Sequence, residues 1–302
     1  MSLFSCEISE FLCERGFDCV VETRGGVAVL WTELAFGSSH EIPGCRCIVP
    51  WPVVAQTTEG AREQAQKMAE LLAEIAQQGH KPIVITEDRW RRQLGMMQAR
   101  LLAHLERFIP MYARNCEVRK IDKETAKAFL EENHSYGDAA CKYRYGLYLK
   151  RYTGQRGTGC VAPGTLVAVA TFSNARKWQK GEKIIRSYEW TRYASLPGVR
   201  INGGMGKVLK AFIKDVQPDD IMSYADLEWS EGAVYEQLGF ELEGLKDPVL
   251  FGVDGQWHRI PVRPGMTDVV RPEGNESQPR TIPLYLQNLG SNKYRLKMTE
   301  YE

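Results

Sequence analysis

From Tyr188 to Ile213 a strand-forming run, Tyr-Glu-Trp-Thr-Arg-Tyr-Ala-Ser-Leu, passes through glycines at 203, 204 and 206 and opens directly into an amphipathic helix. In that helix, read from Gly204 to Val216, Val208, Leu209, Phe212, Ile213 and Val216 fall on one stripe, and Lys207, Lys210 and Lys214 lie outside it. A second strand follows at Ile221 to Ala225, so this part of the chain is committed to a strand-turn-helix-strand arrangement. Glycines allow a sharp turn and bring bare N–H groups close to a ligand, and the helix start adds roughly half a positive charge at the same spot. The turn can be read as a phosphate site or as a plain tight connection between strand and helix.

Charge is unevenly spread around this segment. Residues 142–214 hold 15 Lys+Arg against 2 Asp+Glu, while 1–141 hold 16 against 20 and 215–302 hold 8 against 16. A chain of net charge +1 therefore has a strongly basic middle between two acidic stretches. A phosphorylated cofactor, a nucleic acid or the acidic flanks themselves would each balance it. With 43% hydrophobic and 25% charged residues, the 302-residue chain suits two globular domains and excludes disorder, collagen and coiled coil.

The chain is expected to divide into a small α/β domain over 1–110, a second domain over 111–260 and an extended arm over 261–302. In the first, the periodicity predicts a helix from Phe11 to Phe17, a turn at Gly25-Gly26, a strand from Val27 to Leu34, a helix from Thr58 to Gln78, a strand from Pro82 to Thr86 and a helix from Arg91 to Phe108. Pro50 and Pro52 argue that Cys47 to Val54 is an edge or a loop. In the second, Asp122 caps a helix, strands are expected at Tyr143 to Leu149, Thr165 to Ser173 and Ile185 to Leu196, and a glycine-rich loop spans Arg151 to Gly164.

Two motifs carry a resemblance. The turn Ile201-Asn-Gly-Gly204-Met-Gly206 and the run Tyr235-Glu-Gln-Leu-Gly239-Phe240 are similar to paired signatures of the GNAT superfamily of N-acetyltransferases, over about residues 116–255. That superfamily places the acyl-CoA pyrophosphate on (Q/R)-x-x-G-x-(G/A). Here Ile201 stands where Gln or Arg is preferred, with Arg200 one position early. The resemblance implies an α/β (α+β) fold with a mixed, mostly antiparallel sheet and flanking helices. It also implies an enzyme that transfers an acetyl group from acetyl-CoA, or another acyl-CoA, to an amine of unidentified kind. Cofactor-binding positions carried over are Leu196, Arg200, Asn202, Gly203, Gly204, Met205, Gly206 and Lys207. Tyr235 would protonate the departing thiol and Glu189 would take the proton of the amine, while His134, Asp226 and Glu228 are candidates for contacting the acceptor. Structural roles remain open for each: an ordinary packed tyrosine, an ion-pair partner at 189, a helix-terminal histidine and solvated loop acids.

Longer runs, among them Glu-Glu-Asn-His134, Tyr-Gly-Leu-Tyr148 and Ser-Tyr-Ala-Asp226, resemble acetyltransferase-like domains of phage-type proteins, some fused behind a homing nuclease. Pro82 to Trp90 resembles the end of a very-short-patch-repair or restriction-nuclease fold. Residues 1–110 contain no (D/E)-x-K to hold Mg²⁺, with Glu22-Thr-Arg24 the nearest relative, so that unit reads as a degenerate nuclease-like or unrelated α/β domain with a structural or binding role rather than a cutting one. The alternative function is a nucleic-acid-binding or nucleic-acid-modifying protein whose basic segment contacts phosphates, with Trp178, Tyr188, Trp190 and Tyr193 as candidate stacking residues. Eight cysteines without a C-x-x-C pair indicate reduced thiols. His40, Cys45 and Cys47 lack a fourth ligand, so no metal is expected. The absence of an apolar leader or of about 18 consecutive apolar residues predicts a cytoplasmic protein without a membrane span.

Overall fold

Ser2 accepts a hydrogen bond from the Ser5 amide at 3.2 Å and so starts helix α1 (Leu3–Glu14), whose residues Phe4, Ile8, Phe11 and Leu12 form one buried face. The helix expected from Phe11 thus begins at Leu3. This is seen in a computed structural model that describes residues 2–33, 45–151, 160–230, 232–263, 269–270 and 280–300. His40, the centre of the glycine-rich loop and most of the stretch from 264 to 279 lie outside the described residues.

Strands β1 (Cys19–Arg24) and β2 (Val27–Glu33) meet at the Gly25-Gly26 turn, and β3 (Cys45–Trp51) pairs with β2. Helix α2 (Thr58–Gln77), capped by Thr57 on the Gly60 amide at 3.1 Å, leads to β4 (Pro82–Thr86), which runs parallel to β3. β3 is therefore an inner strand of the order β1-β2-β3-β4, not the expected edge or loop. β2 pairs only as far as Ile48, so at Pro50 the strand has a neighbour on the β4 side alone and a missing N–H breaks no rung with β2. After β4 come α3 (Glu87–Arg92) and, beyond a break at Gln93, α4 (Leu94–His104), where one continuous helix was expected.

Next in the chain are β5 (Ile109–Tyr112), a 3-10 turn at Ala113–Asn115, β6 (Cys116–Lys120) and α5 (Lys123–Asn133). Asp122 caps α5 as expected, accepting from the Thr125 amide at 2.7 Å. Strands β7 (Tyr143–Leu149), β8 (Leu166–Phe172), β9 (Arg176–Lys180) and β10 (Lys183–Ser195) form an antiparallel series, with β9 a hairpin arm on β10. β11 (Val199–Asn202) leaves the sheet to pair with β5 and delivers the chain to α6 (Gly204–Val216). β12 (Asp220–Asp226) returns parallel to β10, followed by α7 (Ala233–Gln237) and β13 (Glu241–Lys246).

Beyond lie β14 (Leu250–Val253), β15 (Arg259–Pro261), the short pair β16 (Val269–Val270) and β17 (Arg280–Thr281), then β18 (Leu284–Gln287) and β19 (Ser291–Lys297). β19 enters the main sheet, whose order is β13-β19-β12-β10-β8-β7-β6, and buries Tyr294 in its core. The tail expected as an extended arm is therefore partly strand, and Tyr294 buries its ring in the core of the sheet that β19 joins.

The chain forms two compact units. One comprises residues 1–97, 226–230 and 246–291, the other 98–225, 231–245 and 292–302, where the sequence suggested contiguous blocks. In the first, Ala65, Met68 and Ile75 of α2 pack with Val49, Val84, Val253 and Leu286, so β14 and β18 complete a core begun near the N-terminus. The second is the mixed, mostly antiparallel α/β sheet with flanking helices. Its core centres on Phe212 of α6, stacked on Phe172 of β8 with ring centroids 3.9 Å apart. No helix among the described residues is long and apolar enough to cross a membrane.

Candidate functional site

β10 and β12 pair through Ser187↔Asp220, Tyr188↔Ile221 and Glu189↔Met222, and the ladder then ends although both strands continue. The closed end is riveted by the Asp220 carboxylate, which accepts from Ser187 Oγ and from the Arg295 guanidinium, each at 2.6 Å. At the open end, Ser223 Oγ lies 3.0 Å from the Trp190 carbonyl, a side-chain bridge where the next backbone rung would fall. On the other side of β10 the register with β8 shifts between Trp190 and Arg192, leaving Thr191 as the extra residue of a bulge. A bulge bends and twists its strand. The two strands thus part at Trp190 and Ser223.

Tyr235 stands at that parting. Its hydroxyl is 2.8 Å from Ser223 Oγ. Ser223 has one proton, and the Trp190 carbonyl can only accept, so the serine donates to the carbonyl and receives the proton of Tyr235. The Tyr235 ring is half-buried, stacked on Tyr294 at 5.3 Å and edge-on to Trp190 at 6.2 Å. Burial pushes its phenol above the usual tyrosine range, so it is a protonated group at neutral pH.

The glycine turn completes the arrangement. Gly203 has φ +75°, a left-handed conformation that glycine adopts without a Cβ penalty. A Cβ on Gly204 would come within 2.7 Å of the Tyr193 hydroxyl and 2.9 Å of Ile201 Cγ2, so the turn closes only on glycine. α1, α2 and α5 each receive a side-chain cap from Ser2, Thr57 and Asp122, whereas α6 has neither a side-chain cap nor an acid in its first turn. Its first amides and the positive end of its dipole are left to whatever lies beyond Gly203. A cleft of about 670 Å³ opens there, running from Gly203 and Gly206 past Lys210 and Arg114 to Leu238 and Leu296.

The other expected residues are distributed as follows. Lys207 lines the cleft, but its ammonium donates to the Ala113 and Cys116 carbonyls at 2.7 and 2.5 Å, fastening the 3-10 turn to α6. Met205 is half-buried against the core, Asn202 is exposed, and exposed Arg200 lies over the Phe108 ring at 5.3 Å. Leu196 packs against α5 and β8, its amide bonded to the Val167 carbonyl at 3.0 Å. Glu189 occupies the last rung before the parting, with its side chain partly exposed. His134 ends α5 and its Nδ1 accepts from the Tyr136 amide at 3.1 Å, the helix-terminal role left open by the sequence.

Asp226 and Glu228 belong to the first compact unit. There Arg89 reaches Asp226 at 3.1 Å and Glu228 at 2.7 Å, while Arg259 binds Asp88 at 2.6 Å and Glu228 at 3.1 Å. Burial alone would raise the Asp88 carboxyl, but Arg259 and Arg89 outweigh it and hold it below the usual range. Tyr188 and Trp190, candidates for stacking on bases, are instead core residues, and the Tyr193 hydroxyl is packed beside Gly204. Trp178 is the one of the four that is exposed, at 52%.

Ser223, Thr191, Arg114 and Tyr294 escape a reading of the sequence. Ser223 leaves the clearest trace, as a small polar residue at a buried position of a strand between Ile221 and Ala225.

No protein-family profile matches the chain, and no curated protein does. Among solved structures the chain is similar to the acetyltransferase (GNAT family) from Bacillus anthracis, with 15% identity over 61% of this chain and 95% of that one and a TM-score of 0.31.

Proposed function

We propose that the second unit is an acyl-CoA-dependent N-acyltransferase that acetylates an amine. The observation that carries this reading is the parting of β10 and β12 at Trp190 and Ser223, with the proton of Tyr235 held at the same point. An extended thioester arm fits between two strands that have stopped pairing, where the Trp190, Thr191 and Arg192 carbonyls, each accepting one side-chain donor, keep a second lone pair for it. The uncapped α6 start and the cleft beside Gly203 supply an anion site for its pyrophosphate, where backbone amides do the binding, so Ile201 in place of Gln or Arg removes little.

In this reading the amine nitrogen bonds to the thioester carbonyl carbon and the carbon–sulfur bond breaks. Tyr235 passes its proton to the departing sulfur, and Glu189 receives the proton lost by the nitrogen, through water. Arg114 and Lys210 offset phosphate charge, while Lys207 acts by holding the 3-10 turn. The mobile-element kinship and the nuclease-like reading of the first unit rest on sequence motifs alone and add nothing to this chemistry.

The test is thiol release from acetyl-CoA in the presence of a panel of primary amines. Turnover with at least one amine class is expected, with Tyr235→Phe reducing kcat by roughly 10²- to 10⁴-fold. Thiol release that is indifferent to Tyr235→Phe would contradict the assignment.

A further inference from the structure

The β9–β10 hairpin is not used by the proposed acyl transfer. Every residue of β9 is exposed, and among the described strands β9 pairs only with β10. The register places Arg176 opposite Ser187, Trp178 opposite Ile185 and Lys180 opposite Lys183, so these residues share one face. Trp178 is 52% exposed, and Arg176 and Lys180 flank it about 7 Å away on either side along the strand. Lys177 lies on the opposite face.

The charge here is not internally balanced. The segment 176–183 contains Arg176, Lys177, Lys180 and Lys183 against Glu182. Some cations elsewhere in the same unit are taken up by acids: Arg186 by Asp219 at 3.2 Å, Arg295 by Asp220 at 2.6 Å, Lys120 by Asp215 at 3.0 Å. Arg176, Lys177 and Lys180 have no acidic partner among the described residues, and Lys183 reaches only the Glu300 carbonyl at 3.4 Å. Part of the basic surplus noted in the sequence therefore lies on this exposed arm.

We propose that this hairpin binds single-stranded nucleic acid, with Trp178 stacking on an unpaired base, Arg176 and Lys180 contacting the adjoining phosphates from the same face, and Lys177 adding positive charge from the other. A planar ring with a cation on each side along an extended strand matches the alternation of base and phosphate in a single strand. A duplex hides its base faces, and an anionic membrane or an acidic peptide offers nothing for the indole to stack on. The inference is independent of the acyl-transfer reading.

The experiment is fluorescence anisotropy of a labelled 20-nucleotide oligo-dT strand with the full chain, beside a duplex of equal length and vesicles containing phosphatidylserine. Binding that prefers the single strand and weakens steeply between about 50 and 200 mM salt is expected. Trp178→Ala should weaken binding about tenfold at constant salt, within the range for loss of one stacked base. The triple variant Arg176→Gln, Lys177→Gln, Lys180→Gln should lower the slope of log affinity against log salt by about one to two. Because Arg176, Lys177 and Lys180 are exposed, thermal melting should be unchanged in the triple variant, and because Trp178 lies across from buried Ile185, the affinity of Trp178→Ala is read well below its own melting temperature. Absence of binding at low salt, equal affinity of wild type and variants, or binding to vesicles without binding to the strand would each overturn the proposal.

Discussion

Ser223 shows how much a single hydroxyl can decide. Its Oγ joins the Trp190 carbonyl at 3.0 Å and the Tyr235 hydroxyl at 2.8 Å, which fixes where the strands part and which way the tyrosine proton points. Removing it strands a carbonyl and a phenol in a largely buried place. Ser223→Ala is therefore expected to cost about 1–3 kcal/mol in urea denaturation, the penalty for unpaired buried polar groups. A loss below a few tenths would mean that water replaces the hydroxyl and that Tyr235 is less constrained than its contacts suggest. The same burial that raises the Tyr235 phenol favours its neutral form, so it contributes stability below the ordinary tyrosine range near pH 10 that is lost as the pH climbs through the raised value. Sequence motifs pointed to Tyr235 but not to Ser223, since a serine in a strand carries no mark of its partner until the strand order is known.

At the scale of elements, strands and helices whose apolar pattern agreed with their final environment were legible. α6, β4 and β7 match the expected ranges of Gly204 to Val216, Pro82 to Thr86 and Tyr143 to Leu149. Those whose pattern was weak or locally contradictory were not. β1 and β9 are exposed over most of their length and show no alternation, β3 contains a proline, and β19 was hidden in a tail that begins with prolines and glycines. The turn into α6 was legible because its glycines are required twice, by φ at Gly203 and by space at Gly204. Gly204→Ala must push the Tyr193 hydroxyl or Ile201 away from a contact of 2.7 or 2.9 Å. A stability loss of about 1–3 kcal/mol is expected by chemical denaturation, the usual cost of overpacking. A neutral substitution would show that the turn has slack, and with it a poorly fixed set of amides.

For the whole molecule, the sequence conveyed two domains and a basic middle, but not how the chain shares itself between them. Residues 226–230 leave β12 for the first unit, held there by Arg89 and Arg259, and 246–291 complete that unit's core. Such exchanges depend on long-range pairings that no local pattern announces, whereas the Tyr235-Glu-Gln-Leu-Gly-Phe240 run and the glycine turn are local and were visible. The same limit applies to charge: composition gave the surplus, and only the fold shows which cations meet acids and which, those of the β9 arm among them, do not. The central claim, that the parted strands and the open α6 start form an acyl-CoA site, is tested most directly by isothermal titration of the full chain with acetyl-CoA. A single site is expected, in which Gly204→Ala weakens binding at least tenfold while Tyr235→Phe leaves it nearly unchanged. No heat of binding at millimolar acetyl-CoA, or binding indifferent to Gly204→Ala, would contradict the account.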